Sequence, residues 1–144
     1  MRGRPQQPRE TRDAPCLTVL FDGSCPLCRR EIAFYRRRRG AEHLQWVDVS
    51  REETGLAVAG IRRAAAMERF HVVQCNGRAV SGAAAFALLW RSLPGFARAG
   101  RIASVPVVIH ALELGYVVFL RLRPLLARAV SRRRAPPSGA RPSR

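Results

Sequence analysis

The sequence predicts an α/β fold, a mixed four-stranded sheet flanked by helices with an extra C-terminal helix. Three observations carry this: an apolar run, a breaker-free segment and an alternating run succeed one another over residues 17–49; two strand-like runs meet at Asn76-Gly77; and the remainder shows helical periodicity. With 144 residues and 47% hydrophobic content, the chain has material for one core and none for a second full domain. The expected layout is a basic flexible tail over residues 1–15, a single domain over 16–130 and a second basic flexible tail over 131–144.

Residues 17–21 (LTVLF) form a short, partly β-branched run closed by Asp22-Gly23, the pattern of a buried strand entering a tight loop. No breaker occurs from Pro26 until Gly40, so a helix opens at Pro26 and ends at a glycine stop, with Cys28, Ile32 and Tyr35 on one face. Residues 44–49 (LQWVDV) alternate and give a second strand, parallel to the first by the right-handed crossover rule. Residues 51–69 are rich in Ala, Glu and Arg, with Leu56, Ile61 and Met67 as apolar anchors, and are expected to be helical in part despite Gly55 and Gly60.

Residues 70–75 (FHVVQC) and 78–80 flank Asn76-Gly77, the dipeptide best suited to a two-residue hairpin turn. Ser81 then caps a helix whose Phe86, Leu89, Trp90 and Leu93 fall at i, i+3, i+4 and i+7, and Pro94-Gly95 ends it. After a short linking segment, Pro106 opens a long apolar helix, with a kink expected at Pro124 and a fade into the Arg-rich tail after Val130. The order strand, helix, strand, helix, hairpin, helices is the thioredoxin arrangement.

The chain carries 26 basic against 10 acidic residues, a formal net charge of +16, and every basic residue is an arginine. Much of that charge lies in the two ends, interleaved with Pro, Ser and Gly, where nonspecific contact with nucleic acid or acidic lipid is the partner class it allows. No nucleic-acid motif accompanies it. The polar N-terminus has no apolar stretch that could serve as an export signal, so a reducing, cytoplasmic setting is expected. Residues 105–120 are apolar apart from His110 and Glu113; they fall short of the roughly 18–20 apolar residues of a membrane span, and a buried helix is expected there instead.

Cys25-Pro26-Leu27-Cys28 follows the first strand and opens the first helix. A helix N-terminus lowers a thiol pKa through its partial positive charge and free N–H groups, and the thiolate is the reactive form. Two intervening residues keep Cys28 within the first turn, close enough to attack a mixed disulfide on Cys25. Cys25 is therefore the expected nucleophile, open to a partner, and Cys28 the more buried resolving thiol. Asp22, three residues before Cys25, is the candidate to accept the proton that Cys28 loses, or to cap the Gly23-Ser24 turn.

The segment Leu20-Phe21-Asp22-Gly23-Ser24-Cys25-Pro26-Leu27-Cys28 resembles the signature of the DCC family of thiol-disulfide oxidoreductases, named for an Asp, a Cys and a Cys that fall here on Asp22, Cys25 and Cys28. The likeness extends through Trp46-Val47-Asp48, His71-Val72-Val73, Asn76-Gly77 and Ser81-Gly82-Ala83, covering most of residues 17–93. It implies a thioredoxin-like fold and disulfide exchange with an unnamed disulfide substrate and electron donor. In such a layout the 70–75 strand runs antiparallel to the first and begins beside the cysteine pair, which makes His71 a candidate to lower the Cys25 pKa or shuttle a proton. Cys16 and Cys75 are then roughly 15–20 Å from the pair, expected as buried thiols without chemistry. Thioredoxins also place a cis-proline before that strand; Met67-Glu68-Arg69-Phe70 has none.

Two other readings use the same residues. A zinc module would take Cys25 and Cys28 as two ligands, yet the chain offers no second close Cys/His pair, and His43 and His110 have no ligand spacing. A basic binding protein without enzymatic activity would rest on the arginines alone. No metal or organic cofactor is expected.

Overall fold

The computed structural model describes residues 17–51 and 60–132. Strand β1 (Leu17–Phe21) leads into helix α1 (Pro26–Arg36), and β2 (Leu44–Asp48) follows. Helix α2 (Arg63–Glu68), strands β3 (His71–Gln74) and β4 (Ala79–Ser81), and helices α3 (Ala83–Ser92), α4 (Ala97–Ala103) and α5 (Pro106–Arg132) complete the order. The sheet runs β2-β1-β3-β4, with β1 parallel to β2 and antiparallel to β3, and β3 antiparallel to β4. This is the mixed four-stranded, helix-flanked, thioredoxin-like α/β fold expected, C-terminal helix included.

The central strand explains the two-sided core. Val19, Leu20 and Phe21 are all buried, as in a strand covered on both faces. Val19 and Phe21 pack with Ile32, Tyr35, Val72 and Leu89 on one side of the sheet; Leu20 packs with Val47, Val49, Ala66 and Val73 on the other. Trp90 Nε1 donates to the Tyr35 hydroxyl at 2.9 Å, tying α3 to α1 across the larger cluster.

Several boundaries differ from expectation. Helix α1 ends at Arg36 and β2 at Asp48. Ser81 does not cap α3 but closes β4; Gly82 occupies the cap with φ of +67°, and the Glu113 carboxylate, brought in by α5, accepts the Ala83 N–H at 2.8 Å. The supposed linker after Leu93 contains a 3₁₀ turn (Pro94–Phe96) and α4. Helix α5 continues through Pro124 to Arg132. It is also no buried helix: none of its residues is fully buried, because only one face meets the domain. Residues 1–16, 52–59 and 133–144, on which the expected flexible ends and part of the expected 51–69 helix fall, lie outside the described residues, while residues 131 and 132, expected in the C-terminal tail, belong to α5.

Candidate active site

The site forms where β1 stops. The chain turns at Asp22-Gly23-Ser24, and Cys25 takes the N-cap of α1 in an extended conformation (φ −81°, ψ 118°), with Pro26 opening the helix. One Asp22 oxygen accepts the Ser24 N–H at 2.9 Å and also the Ser24 hydroxyl. A Gly23 side chain has no room, since a Cβ there would lie 1.9 Å from Asp48 Oδ2, while the Gly23 N–H donates to Asp48 Oδ1 at 2.9 Å. Both neighbouring strand ends thus brace the loop that holds the first sulfur.

The decisive contact comes from the far end of the chain. Arg123 of α5 reaches across the loop: its Nε donates to Cys25 Sγ at 3.3 Å, its Nη1 to the Met67 carbonyl at 3.0 Å, and its Nη2 pairs with the other Asp22 oxygen. The Arg123 and Asp22 side chains are only 17% and 10% exposed, so solvent screens this triad weakly. Nothing in the sequence set Arg123 apart from the other arginines.

The two thiols are free and electrostatically unlike. Burial alone raises the Cys25 pKa, but the Cys28 backbone N–H, the Arg123 guanidinium and the Cys28 thiol act against it, and Cys25 ends below the ordinary thiol value. Burial, together with the sulfur and charge of Cys25, pushes Cys28 up to about 12 despite the Arg123 charge. Residues 19–129 match the profile of DCC1-like thiol-disulfide oxidoreductases. The chain belongs to that family. It has no significant match among curated proteins or solved structures.

In this DCC1-like protein the exposures of the two cysteine residues and the depths of their sulfurs run in opposite senses. Cys25 as a whole residue is only 7% exposed and Cys28 is partly exposed, because α5 and Arg123 lie over Cys25, whereas the Cys28 thiol is the more deeply set of the two, as expected. Cys25 instead sits on the wall of an open groove of about 810 Å³, between Met67–Arg69 on one side and Val117, Leu120 and Arg121 of α5 on the other. Cys28 lines a separate cavity of about 30 Å³, near the size of one water, with Asp22 and Glu31 as its carboxylates. Burial raises the Glu31 pKa, against a hydrogen bond with Tyr35 that lowers it. Glu31 was also missed from sequence, although it lies one helical turn after Cys28.

His71 heads β3, at the cysteine end of β1, where it pairs with Leu20. It shares strand parity with Val73, which packs on the face away from α1. Its Nδ1 lies 2.7 Å from the Arg69 carbonyl oxygen, and burial holds its pKa below the ordinary value. Among the described residues no hydrogen bond or ion pair links His71 to either sulfur of the pair. Cys75 lies one residue beyond β3, at the end of the sheet opposite the pair; it is exposed and disulfide-bonded, which corrects the expected buried thiol. The turn, outside the pleat, carries it away from the core. Cys16 lies outside the described residues. Among the described residues no group of three or more His, Cys, Asp or Glu side chains is placed to hold a metal ion.

Proposed function

We propose that the pair carries out thiol-disulfide exchange with Cys25 as nucleophile and Cys28 as resolving thiol. The observation that carries this is the Arg123 guanidinium on the sulfur at the N-cap of α1. The Cys25 thiolate attacks one sulfur of a substrate disulfide, forms a Cys25–substrate disulfide and expels the other sulfur as a thiolate. That step removes the charge of Cys25, one of the causes that hold Cys28 protonated. Cys28 then gives its proton to a carboxylate of the cavity it lines, Glu31 or Asp22. Its thiolate attacks Cys25 Sγ, the second substrate thiolate leaves, and two electrons have passed from the dithiol to the substrate. An external dithiol donor returns the pair to its reduced form by the reverse sequence.

The segment before β3 supports a narrow substrate range. Arg123 takes the Met67 carbonyl and the Tyr116 hydroxyl accepts the Phe70 N–H at 2.8 Å, so α5 occupies main-chain groups that an extended peptide would need for strand pairing. A disulfide that reaches Cys25 through the groove without such pairing fits better, a small molecule above all.

The test compares wild type and Cys25→Ser for dithiol-dependent reduction of a small-molecule disulfide, with mass spectrometry of the adduct trapped in Cys28→Ser. Activity is expected to vanish in the first variant and a mixed disulfide to accumulate on Cys25 in the second. Equal turnover with and without Cys25 refutes the proposal. The zinc reading would require two further ligands from outside the described residues and a stoichiometric metal lost on substitution of Cys25 and Cys28.

A further inference from the structure

Helix α5 has two unlike faces. Inward, Glu113, Tyr116 and Arg123 hold the domain. Outward, Val107 (80% exposed), Leu114 (68%), Val118 (51%), Leu122 (47%), Leu125 (59%) and Leu126 (42%) stand in solvent. At 100° per residue these six fall within an arc of roughly 120°. Arg121, Arg128 and Arg132 are exposed along one edge of that arc. The only acid in the helix, Glu113, is turned inward onto Arg69 and the Ala83 N–H. A solvent-facing helix ordinarily carries its polar residues outward, and this one reverses the pattern.

We propose that the outer face of α5 lies on an anionic phospholipid surface. The leucines and valines enter the boundary of the acyl chains, while the bordering guanidiniums extend to the headgroup phosphates. Arg128 and Arg132, one turn apart, line an open depression of about 440 Å³ with Leu125 and Ala129, a fit for a phosphate above an apolar floor. The 27 residues give a contact about 40 Å long. No single helix among the described residues is long and apolar enough to cross a membrane; the pair Pro94–Ala103 and Pro106–Arg132 has the length and composition together but bends by 98° at its break, and the exposed guanidiniums along one edge of α5 favour a helix lying in the interface. A second copy is the poorer occupant: packing this face on itself brings Arg121, Arg128 and Arg132 of both chains together without an acid on either side. Lipid supplies both the apolar phase and the opposite charge. The groove beside Cys25 opens along the inner edge of the same helix, so docking sets the thiol pair next to the membrane surface.

The test is sedimentation of the full chain with vesicles of phosphatidylcholine alone or with about one-third phosphatidylglycerol, at low and high salt. The variant Leu114→Gln/Leu122→Gln/Leu125→Gln keeps every arginine, so it separates this face from the charged ends of the chain. Binding to the anionic vesicles is expected, with the partition of the triple variant reduced about tenfold or more. An unchanged Cys25 alkylation profile in that variant shows that the inner face is still seated. Equal binding by wild type and triple variant overturns the proposal, as does no binding to anionic vesicles. So does a wild-type dimer in light scattering that the triple variant abolishes without loss of vesicle binding.

Discussion

Parallel strands β1 and β2 end in the same device and put it to different use. At the end of β1, Asp22 accepts the N–H of Ser24 at 2.9 Å and its hydroxyl; at the end of β2, Asp48 accepts the N–H of Ser50 at 3.0 Å and its hydroxyl at 2.6 Å. The second oxygens diverge. That of Asp22 meets Arg123, which is 17% exposed and touches Cys25; that of Asp48 meets Arg51, which is 81% exposed and touches no sulfur. One turn is a structural stop alone and the other also anchors a cation on a sulfur, and the difference lies in a buried partner arriving from another element.

The largest effect expected from breaking this contrast is on Arg123. Arg123→Leu should raise the Cys25 pKa and lower its thiolate fraction at neutral pH about tenfold or more, whereas Arg51→Leu should leave it unchanged. The measurement is the pH dependence of alkylation of the reduced protein. In wild type, reactivity rises as pH climbs through a value below the ordinary thiol range, while Cys28, at about 12, stays silent there. Coincident curves for Arg123→Leu and wild type would remove the distinction between the two turns.

Next is Gly23→Ala, which forces a Cβ against the Asp48 carboxylate and should cost about 2 kcal/mol in urea unfolding. A loss confined to activity would show that Asp48 yields freely and that the two strand ends are not braced together. Asp48→Asn should cost about 1 kcal/mol. Burial raises the Asp48 pKa, but the Ser50 hydroxyl, the Gly23 and Ser50 N–H groups and Arg51 bring it below the ordinary value. Its stabilisation is therefore present above the unfolded carboxyl pKa and lost as pH falls through the folded one; the asparagine variant should flatten that acid limb. The smallest effect is that of Arg51→Ala, within about 0.5 kcal/mol, as befits an exposed pair.

What the sequence disclosed follows the range of the interactions. The β1 strand, the Asp22-Gly23 loop, Pro26 at the start of α1 and the Asn76-Gly77 turn are set by residues within a few positions of one another, and all were readable. So was the pairing of Asp22 with Ser24, two residues apart. Arg123 acts across 98 positions, and among 26 arginines no local signal distinguishes it. The cap of α3 by Glu113 is hidden for the same reason, and Ser81, a good cap by type, was placed in a strand instead. His71 was placed at the correct end of the sheet, but its face depends on register, which a one-residue shift inverts.

The order in which the site is assembled also follows from Arg123. Synthesis proceeds from the N-terminus, so both cysteines, the whole sheet and α1 are made long before α5. A chain that ends before α5 thus displays two thiols without the guanidinium that helps lower the pKa of Cys25. On the proposed reading, a reactive Cys25 therefore reports that α5 has closed on the first loop.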